Sequence, residues 1–255
     1  CFSAACPASG DATTAGNGDC TVAGSVSTIQ LNFDSGFDSN TAIATVDGNN
    51  GTTIGAQRKL SFIKAAEIIS DLLISTITIE VDASFSALSC DTNSATLGSA
   101  GATNNFAYGS APSGLDDNTF YPIGLINAIR STDADGGSDI TAEFNSDIGD
   151  GDCLAASDWY YGFGTPGANE IGFTTVLLHE ITHGLGFASL VDPTDGSKAS
   201  GNDDIFSNNL FDLATGLNFN DGAETNQNRE DAAISGTGLL WSGSNANTNA
   251  VGLLT

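Results

Sequence analysis

The stretch at residues 176–187 constrains the fold most, because from His179 onward it contains the pattern H-E-x-x-H-G-x-G-F. Residues i and i+4 of an α-helix share one face, so His179 and His183 can direct two imidazoles at one point in space. Such a pair is typical of a zinc site. Glu180 lies too far round the helix to be a ligand but close enough to accept a proton from a metal-bound water, so it is the candidate general base.

The spacing of the two histidines is a specific signal. They are the only two in the chain, and chance would scatter them rather than frame Glu180 between them. The alternative is a pair of buried helix histidines without metal, because motif matches alone do mislead. Leu177 and Ile181 give the helix an apolar face for packing in a core, and Gly186 allows a sharp turn after it.

Length and charge limit the classes of protein to which this chain can belong. Its 255 residues suffice for one main domain, which we place at residues 26–255. The 31 acidic and six basic residues give a net charge of −25, which argues against nucleic acid and anionic membranes as partners. No apolar run approaches a membrane span, and no signal-peptide pattern precedes Cys1. We therefore expect a mature, soluble, secreted protein whose acidic surface suits salty water.

The five cysteines, at positions 1, 6, 20, 90 and 153, lack the spacing of zinc knuckles. In a secreted protein they favour disulfides over thiolate chemistry. We expect bridges Cys90–Cys153 and Cys6–Cys20, and the N-terminal cysteines would staple an arm at residues 1–25. Cys1 is then the odd thiol: it is free, paired between chains so that the protein self-associates, or bonded to one of the other N-terminal cysteines.

Hydrophobic periodicity predicts a strand–helix–strand unit near the start of the chain. Residues 27–33 and 75–85 alternate like half-buried strands, and between residues 56 and 73 apolar side chains recur every three or four positions. A right-handed helical crossover would place the two strands side by side.

The later segments extend this pattern. Residues 120–130 predict a short helix and residues 139–145 another strand, whereas the glycine-rich segment 95–114 is ambiguous. The expected class is α/β, of the α+β kind, with a twisted mixed sheet, a long packing helix and a helix at 172–185 that carries the histidines.

Three loops cluster acidic side chains, at residues 133–139, 147–152 and 192–204. Hard oxygen ligands of this kind bind calcium, so structural Ca²⁺ is one interpretation, and it offers the protein a second route to self-association. None of the loops has the EF-hand spacing, which favours solvated turns instead.

Six short stretches accompany the helix motif: GTTIGAQR at 51–58, LSC at 88–90, LGSAG at 97–101, FNS at 144–146, DWYYG at 158–162 and LLWSG at 239–243. Together with the H-E-x-x-H helix they resemble bacterial secreted metalloproteases that carry an inserted protease-associated domain. In the wider sense the chain resembles leishmanolysin-type metzincins. The resemblance covers roughly residues 27–243.

The resemblance implies a metzincin-like zincin catalytic domain that hydrolyses peptide bonds in proteins or peptides. In that family the protease-associated domain follows the Leu-Trp-Ser-Gly stretch, and a third zinc-binding His and a methionine turn come after it. This chain ends at Thr255 before either, and it contains no methionine. We therefore expect a processed or truncated catalytic half of such an enzyme, or a chain that keeps the fold without the full site.

The third zinc ligand is not evident. A catalytic zinc needs three protein ligands and one open position, and where metzincins have the third His this chain has Ser189. Asp203 has a spacing similar to that of the carboxylate ligand in thermolysin-like enzymes. Four carboxylates follow the helix and are candidate ligands: Asp192, Asp203, Asp204 and Asp212. Each of them can instead be a turn or cap residue. We expect that no side chain of this chain supplies the third ligand, so that the two histidines bind zinc weakly or with extra waters.

The predicted function is that of a secreted zinc metalloendopeptidase. Zinc held by His179 and His183 would lower the pKa of a bound water towards ~7, and Glu180 would take its proton and deliver it to the leaving amine. The competing interpretation is a non-catalytic extracellular module, for binding or self-assembly, on a protease fold, because a fold does not dictate a function.

Overall fold

A computed structural model describes residues 3–5 and 20–243 of the chain. Within these residues it contains four α-helices and several β-sheets, which confirms the predicted mixed α/β class. The helices are α1 (Ile54–Leu72), α2 (Ile123–Arg130), α3 (Phe173–Gly184) and α4 (Asn226–Ile234). The strands are β1 (Ser3–Ala5), β2 (Cys20–Ala23), β3 (Thr28–Phe33), β4 (Ile79–Ser86), β5 (Gly98–Ala102), β6 (Asn105–Ala107), β7 (Thr119–Pro122), β8 (Ile140–Asn145), β9 (Asp158–Tyr160), β10 (Glu170–Gly172), β11 (Asp203–Asp204), β12 (Leu210–Asp212), β13 (Leu217–Asn218) and β14 (Leu239–Trp241).

Contacts divide the chain into two compact units. The first comprises the described residues up to Asn104 together with Pro122–Leu185, and the second comprises Asn105–Tyr121 and the described residues from Gly186 onward. The predicted division between an arm at 1–25 and a domain at 26–255 stays a prediction. None of the helices in the described part of the chain is long and apolar enough to cross a membrane.

The first unit is built on a six-stranded sheet in the order β1-β2-β3-β4-β8-β5. Strands β3, β4 and β8 pair in parallel, whereas β2 and β5 run antiparallel to their neighbours. Helix α1 connects β3 to β4, as the strand–helix–strand pattern predicts. It begins after Thr53, whose hydroxyl accepts a hydrogen bond from Ala56 N and so caps the helix. The short strand β2, at residues 20–23, belongs to this sheet.

Alternation along the strands gives the sheet one apolar face, and α1 and α3 pack on it. Phe144 of β8 lies between the two helices, with its ring centroid 5.8 Å from that of Phe62 in α1 and 5.3 Å from that of Phe173 in α3. Both contacts are edge-to-face, the arrangement that aromatic rings prefer. Polar residues such as Asn32 and Asp82 occupy the alternate strand positions. The helix with the histidines is thus anchored in the core of the first unit.

The helix predicted at residues 120–130 begins at Ile123 instead, because its first residues form β7. Pro122 explains the difference, since it disfavours helical backbone at Tyr121 before it. The ambiguous segment 95–114 contains β5 and β6. Helix α4, capped by the Thr225 hydroxyl, was not predicted, because residues 217–243 have little hydrophobic periodicity.

The second unit contains two three-stranded sheets, in the orders β11-β7-β6 and β13-β12-β14, and helix α4. The buried guanidinium of Arg229 in α4 ties its loops together by donating to Gly196 O at 2.8 Å and to Glu224 O at 2.7 Å. A small apolar cluster that includes Leu210 and Phe219 completes its core.

The predicted Cys90–Cys153 disulfide is confirmed, and it links two segments that are 63 residues apart in sequence. Cys20 is buried on β2 and is disulfide-bonded. Cys1 and Cys6 lie outside the described residues, so the Cys6–Cys20 pairing and the fate of Cys1 stay predictions.

Candidate metal centre

Helix α3 presents its histidines on the side that faces away from the core. Phe173, Leu177 and Ile181 recur at intervals of four residues and are buried, which fixes one face of the helix against the sheet. His179 is exposed and His183 is half-buried. The helix ends at Gly184, and Gly186 follows with a φ of 101°, the left-handed backbone that a side chain resists. The predicted helix at 172–185 and its sharp exit are therefore both found.

The two imidazoles converge. Their Nε2 atoms are 3.0 Å apart, and the rings are perpendicular with centroids 4.6 Å apart. Two nitrogens at ~2.0–2.1 Å from one tetrahedral zinc would be about 3.3 Å apart, so a change of about 0.3 Å accommodates the ion. The same distance also fits a hydrogen bond in which one Nε2 carries the proton. The two nitrogens thus have the type and separation of two of the three protein ligands that a catalytic zinc needs.

Glu180 lies beside this pair and is held by the edge strand β5. Its Oε2 accepts a hydrogen bond from Ala100 N at 3.1 Å. Two backbone hydrogen bonds at the ends of the β5–β8 pair flank Ala100: Asn145 N donates to Leu97 O, and Thr103 N donates to Asp139 O. The odd-numbered residues of β5 therefore direct their N–H and C=O groups towards β8. Because backbone direction alternates along an antiparallel pair, the N–H and C=O of Ala100 point away from β8.

The outward edge of β5 is open among the described strands, since β5 is the last strand of its sheet. The outward-pointing residues are Gly98, Ala100 and Ala102. Glu180 takes the outward N–H of Ala100, and the outward groups of Gly98 and Ala102 and the carbonyl of Ala100 lie along the same edge, where an added strand can pair. Sequence reasoning missed this strand, because Gly-Ser-Ala-Gly-Ala has neither alternation nor β-branched residues.

The four candidate carboxylate ligands belong to the second unit, where each has a local role. Asp203 is paired with Lys198 Nζ at 2.5 Å. Buried Asp204 accepts from Ser207 N and Leu190 N, and buried Asp212 accepts from Ala214 N.

Asp192 accepts from the backbone N and the hydroxyl of Thr194. These two hydrogen bonds lower the pKa of the Asp192 carboxyl. Ser189, at the position of the third metzincin histidine, shares a hydrogen bond of 2.7 Å with Ser207. In the described part of the chain no group of three or more His, Cys, Asp or Glu side chains is arranged to hold a metal. The identity of the third ligand stays a prediction.

Two of the three acidic loops, at 133–139 and 192–204, form turns closed by their own carboxylates, which was one of the two interpretations of these loops. Asp133 Oδ1 accepts from Gly136 N, Asp135 Oδ1 from Gly137 N and Asp195 Oδ1 from Ser197 N. Such bonds are typical of side chains that close a turn on themselves. Binding of Ca²⁺ by these loops stays a prediction.

Neither the models of known protein families, nor the curated proteins, nor the solved structures contain a match to this chain.

Proposed function

We propose that this chain is a secreted zinc metalloendopeptidase, or the catalytic half of one, on a metzincin-like fold. The observation that carries the proposal is the convergence of the His179 and His183 Nε2 atoms at 3.0 Å with Glu180 between them on one helix. The parallel strands with an antiparallel edge strand and two helices on one face support the metzincin-like architecture. The disulfide and the net charge of −25 support an extracellular location.

In this proposal the two histidines hold zinc, which when bound supplies a Lewis acid that polarises the scissile carbonyl and acidifies a water molecule. Glu180 accepts the proton of that water as its oxygen attacks the carbonyl carbon. The same carboxyl then gives the proton to the amine that leaves when the C–N bond breaks. Glu180 is suited to the task because it is half-buried at the sheet edge and one residue from the first ligand.

The open edge of β5 would orient the substrate. An extended peptide that adds to the sheet as a strand can pair its backbone with the outward groups of Gly98 and Ala102 and with the carbonyl of Ala100, whose N–H is bonded to Glu180. Ala100 N donates to Glu180 at 3.1 Å, so a peptide paired there would have its backbone next to the base. Backbone pairing binds chains of many sequences, which suits an endopeptidase that acts on unfolded segments.

The variant Glu180→Gln tests this function. Gln keeps an acceptor for Ala100 N but cannot take a proton, so hydrolysis of an unfolded protein substrate should fall by roughly 10²–10⁴-fold. Zinc content, measured by mass spectrometry after dialysis, should equal that of the wild type. Glu67→Gln, on α1 and paired with Lys64, is the control and should keep full activity.

Retained hydrolysis in Glu180→Gln would refute the role of the base. A wild-type protein that takes up no zinc and hydrolyses nothing, but assembles in an ordered way, would favour the non-catalytic module.

A further inference from the structure

Asn145 is the last residue of β8, and its hydrogen bonds reach several segments of the chain besides the neighbouring strand. Its side chain is 0% exposed. Its Nδ2 donates to Thr96 O at 2.9 Å, and its backbone N donates to Leu97 O at 3.0 Å. These are the two residues that lead into β5, so Asn145 holds the start of that strand by side chain and backbone together.

The same residue is bonded on its other side to the segment that leads to α3. Its backbone O accepts from Trp159 Nε1 at 2.8 Å. The Trp159 ring packs edge-to-face on Phe173, the first residue of α3, with centroids 5.1 Å apart. Asn145 thereby connects the beginning of β5 with the beginning of the helix that carries Glu180.

The amide oxygen of Asn145 completes this arrangement. It accepts from Asp147 N at 2.9 Å and Leu88 N at 3.3 Å, in the two segments that the Cys90–Cys153 disulfide joins. The Nδ2 group also donates to Cys153 Sγ at 3.9 Å. The side chain is therefore bonded to three backbone groups and to the disulfide itself, which uses both its donor and its acceptor. Buried polar groups satisfied in this way define one geometry.

We propose that Asn145 is a positioning residue for peptide hydrolysis, which sets the open edge of β5 relative to Glu180; this rests on the function proposed above. The distance it governs is the 3.1 Å between Ala100 N and Glu180 Oε2. A substrate bound along β5 depends on that placement to bring its carbonyl to the base. Misplacement by about 1 Å can cost on the order of 10²-fold in rate while binding remains.

The variant Asn145→Asp of the full chain tests the inference. It keeps the shape but replaces the donor to Thr96 O with an oxygen. We expect kcat to fall at least tenfold, KM to stay within threefold and zinc content to be unchanged. Hydrogen exchange at Ser99 and Gly101, whose amides face β8, should be at least tenfold faster.

Asn49→Asp is the matched control. Asn49 is 1% exposed, and its Nδ2 also donates to two backbone oxygens, Gln57 O at 2.9 Å and Tyr161 O at 2.8 Å. These bonds join its loop to α1 and to the segment that follows β9, and neither reaches β5. This variant should therefore lose stability but keep kcat and the exchange rates of β5. Equal losses of kcat in both variants would overturn the inference.

A second variant guards against failure of Asn145→Asp to fold. Trp159→Phe keeps an aromatic ring beside Phe173 but removes the donor to Asn145 O, and it should lower kcat at least threefold at similar KM. An unchanged kcat there would overturn the inference. If the wild type shows no Glu180-dependent hydrolysis, the proposed function fails. The hydrogen-exchange rates of β5 in the Asn145 and Trp159 variants then test by themselves whether Asn145 positions this strand. Unchanged rates would overturn the inference.

Discussion

At the scale of single residues, the site depends on how α3 divides its side chains between core and surface. Leu177 and Ile181 are buried, and His179 is exposed on the same helix. The spacing i, i+4 predicts that the histidines share a face, and the structure agrees, because helix geometry alone decides this. The partner of Glu180 was not predictable in the same way, since Ala100 N is a backbone group whose position depends on tertiary pairing.

A second residue, Asp139, predicts a pH dependence of stability. It is 2% exposed, and burial raises the pKa of its carboxyl, with nearby Asp133 and Asp135 adding to the rise. Hydrogen bonds from Glu80 N and Asn127 Nδ2 oppose it. A raised folded-state pKa means that the folded protein binds this proton more tightly than the unfolded chain does. The stabilising contribution is therefore fully present below the unfolded pKa of ~3.9 and is lost as the pH rises through the folded pKa.

The variant Asp139→Asn removes this titration. Its free energy of unfolding relative to wild type should increase as the pH rises from about 4 through the folded pKa of Asp139, as measured by urea denaturation at a series of pH values. A constant difference across the range would show that Asp139 titrates alike in the folded and unfolded protein.

At the scale of elements, the helices and strands with strong local patterns were predictable from the sequence. The residues of α1 and β4 repeat with helical and strand periods, and both elements lie within a few residues of the expected bounds. Strand β5 was not predictable from the sequence, because Gly98 and its neighbours have small side chains and the strand forms through its pairing with β8. Local signals thus predicted the helix that carries the two histidines, whereas the strand beside it required the tertiary structure.

The close approach of α3 to β8 predicts the effect of a substitution at Gly184. A Cβ there would lie 2.4 Å from Ile140 Cγ2, closer than packed atoms tolerate. In Gly184→Ala, overpacking should cost about 1–3 kcal/mol against a gain in helix propensity of about 1 kcal/mol. Because the approach is this close, we expect the cost to exceed the gain, with a net loss of up to about 2 kcal/mol. Gly101→Ala is the control, since nothing lies within 4 Å of its Cβ position. Chemical denaturation that finds the two variants equally stable would contradict this packing.

At the scale of the whole molecule, charge rather than packing sets the response to solvent. The 31 acidic residues against six basic ones leave a net charge of −25, and like charges on a folded surface repel. Salt shortens the range of this repulsion to about 3 Å at 1 M ionic strength.

We therefore expect Tm to rise on going from low salt to about 1 M NaCl, by at least ~2–4 °C if screening is worth about 1 kcal/mol. Choline chloride at the same ionic strength should act alike, because screening does not depend on the identity of the cation. Calcium chloride that stabilises beyond its ionic strength would support the predicted calcium sites. A Tm that falls with added salt would contradict the role of self-repulsion.

The central claim is that α3 carries a zinc centre, and a crystal structure of the full chain grown with zinc tests it most directly. Anomalous scattering at the zinc edge locates the ion without assumptions about its ligands. We predict one zinc at ~2.0–2.1 Å from the Nε2 atoms of both His179 and His183, with Glu180 beside it rather than bonded to it. An ion found elsewhere, or no ion at this pair in saturating zinc, would contradict the account.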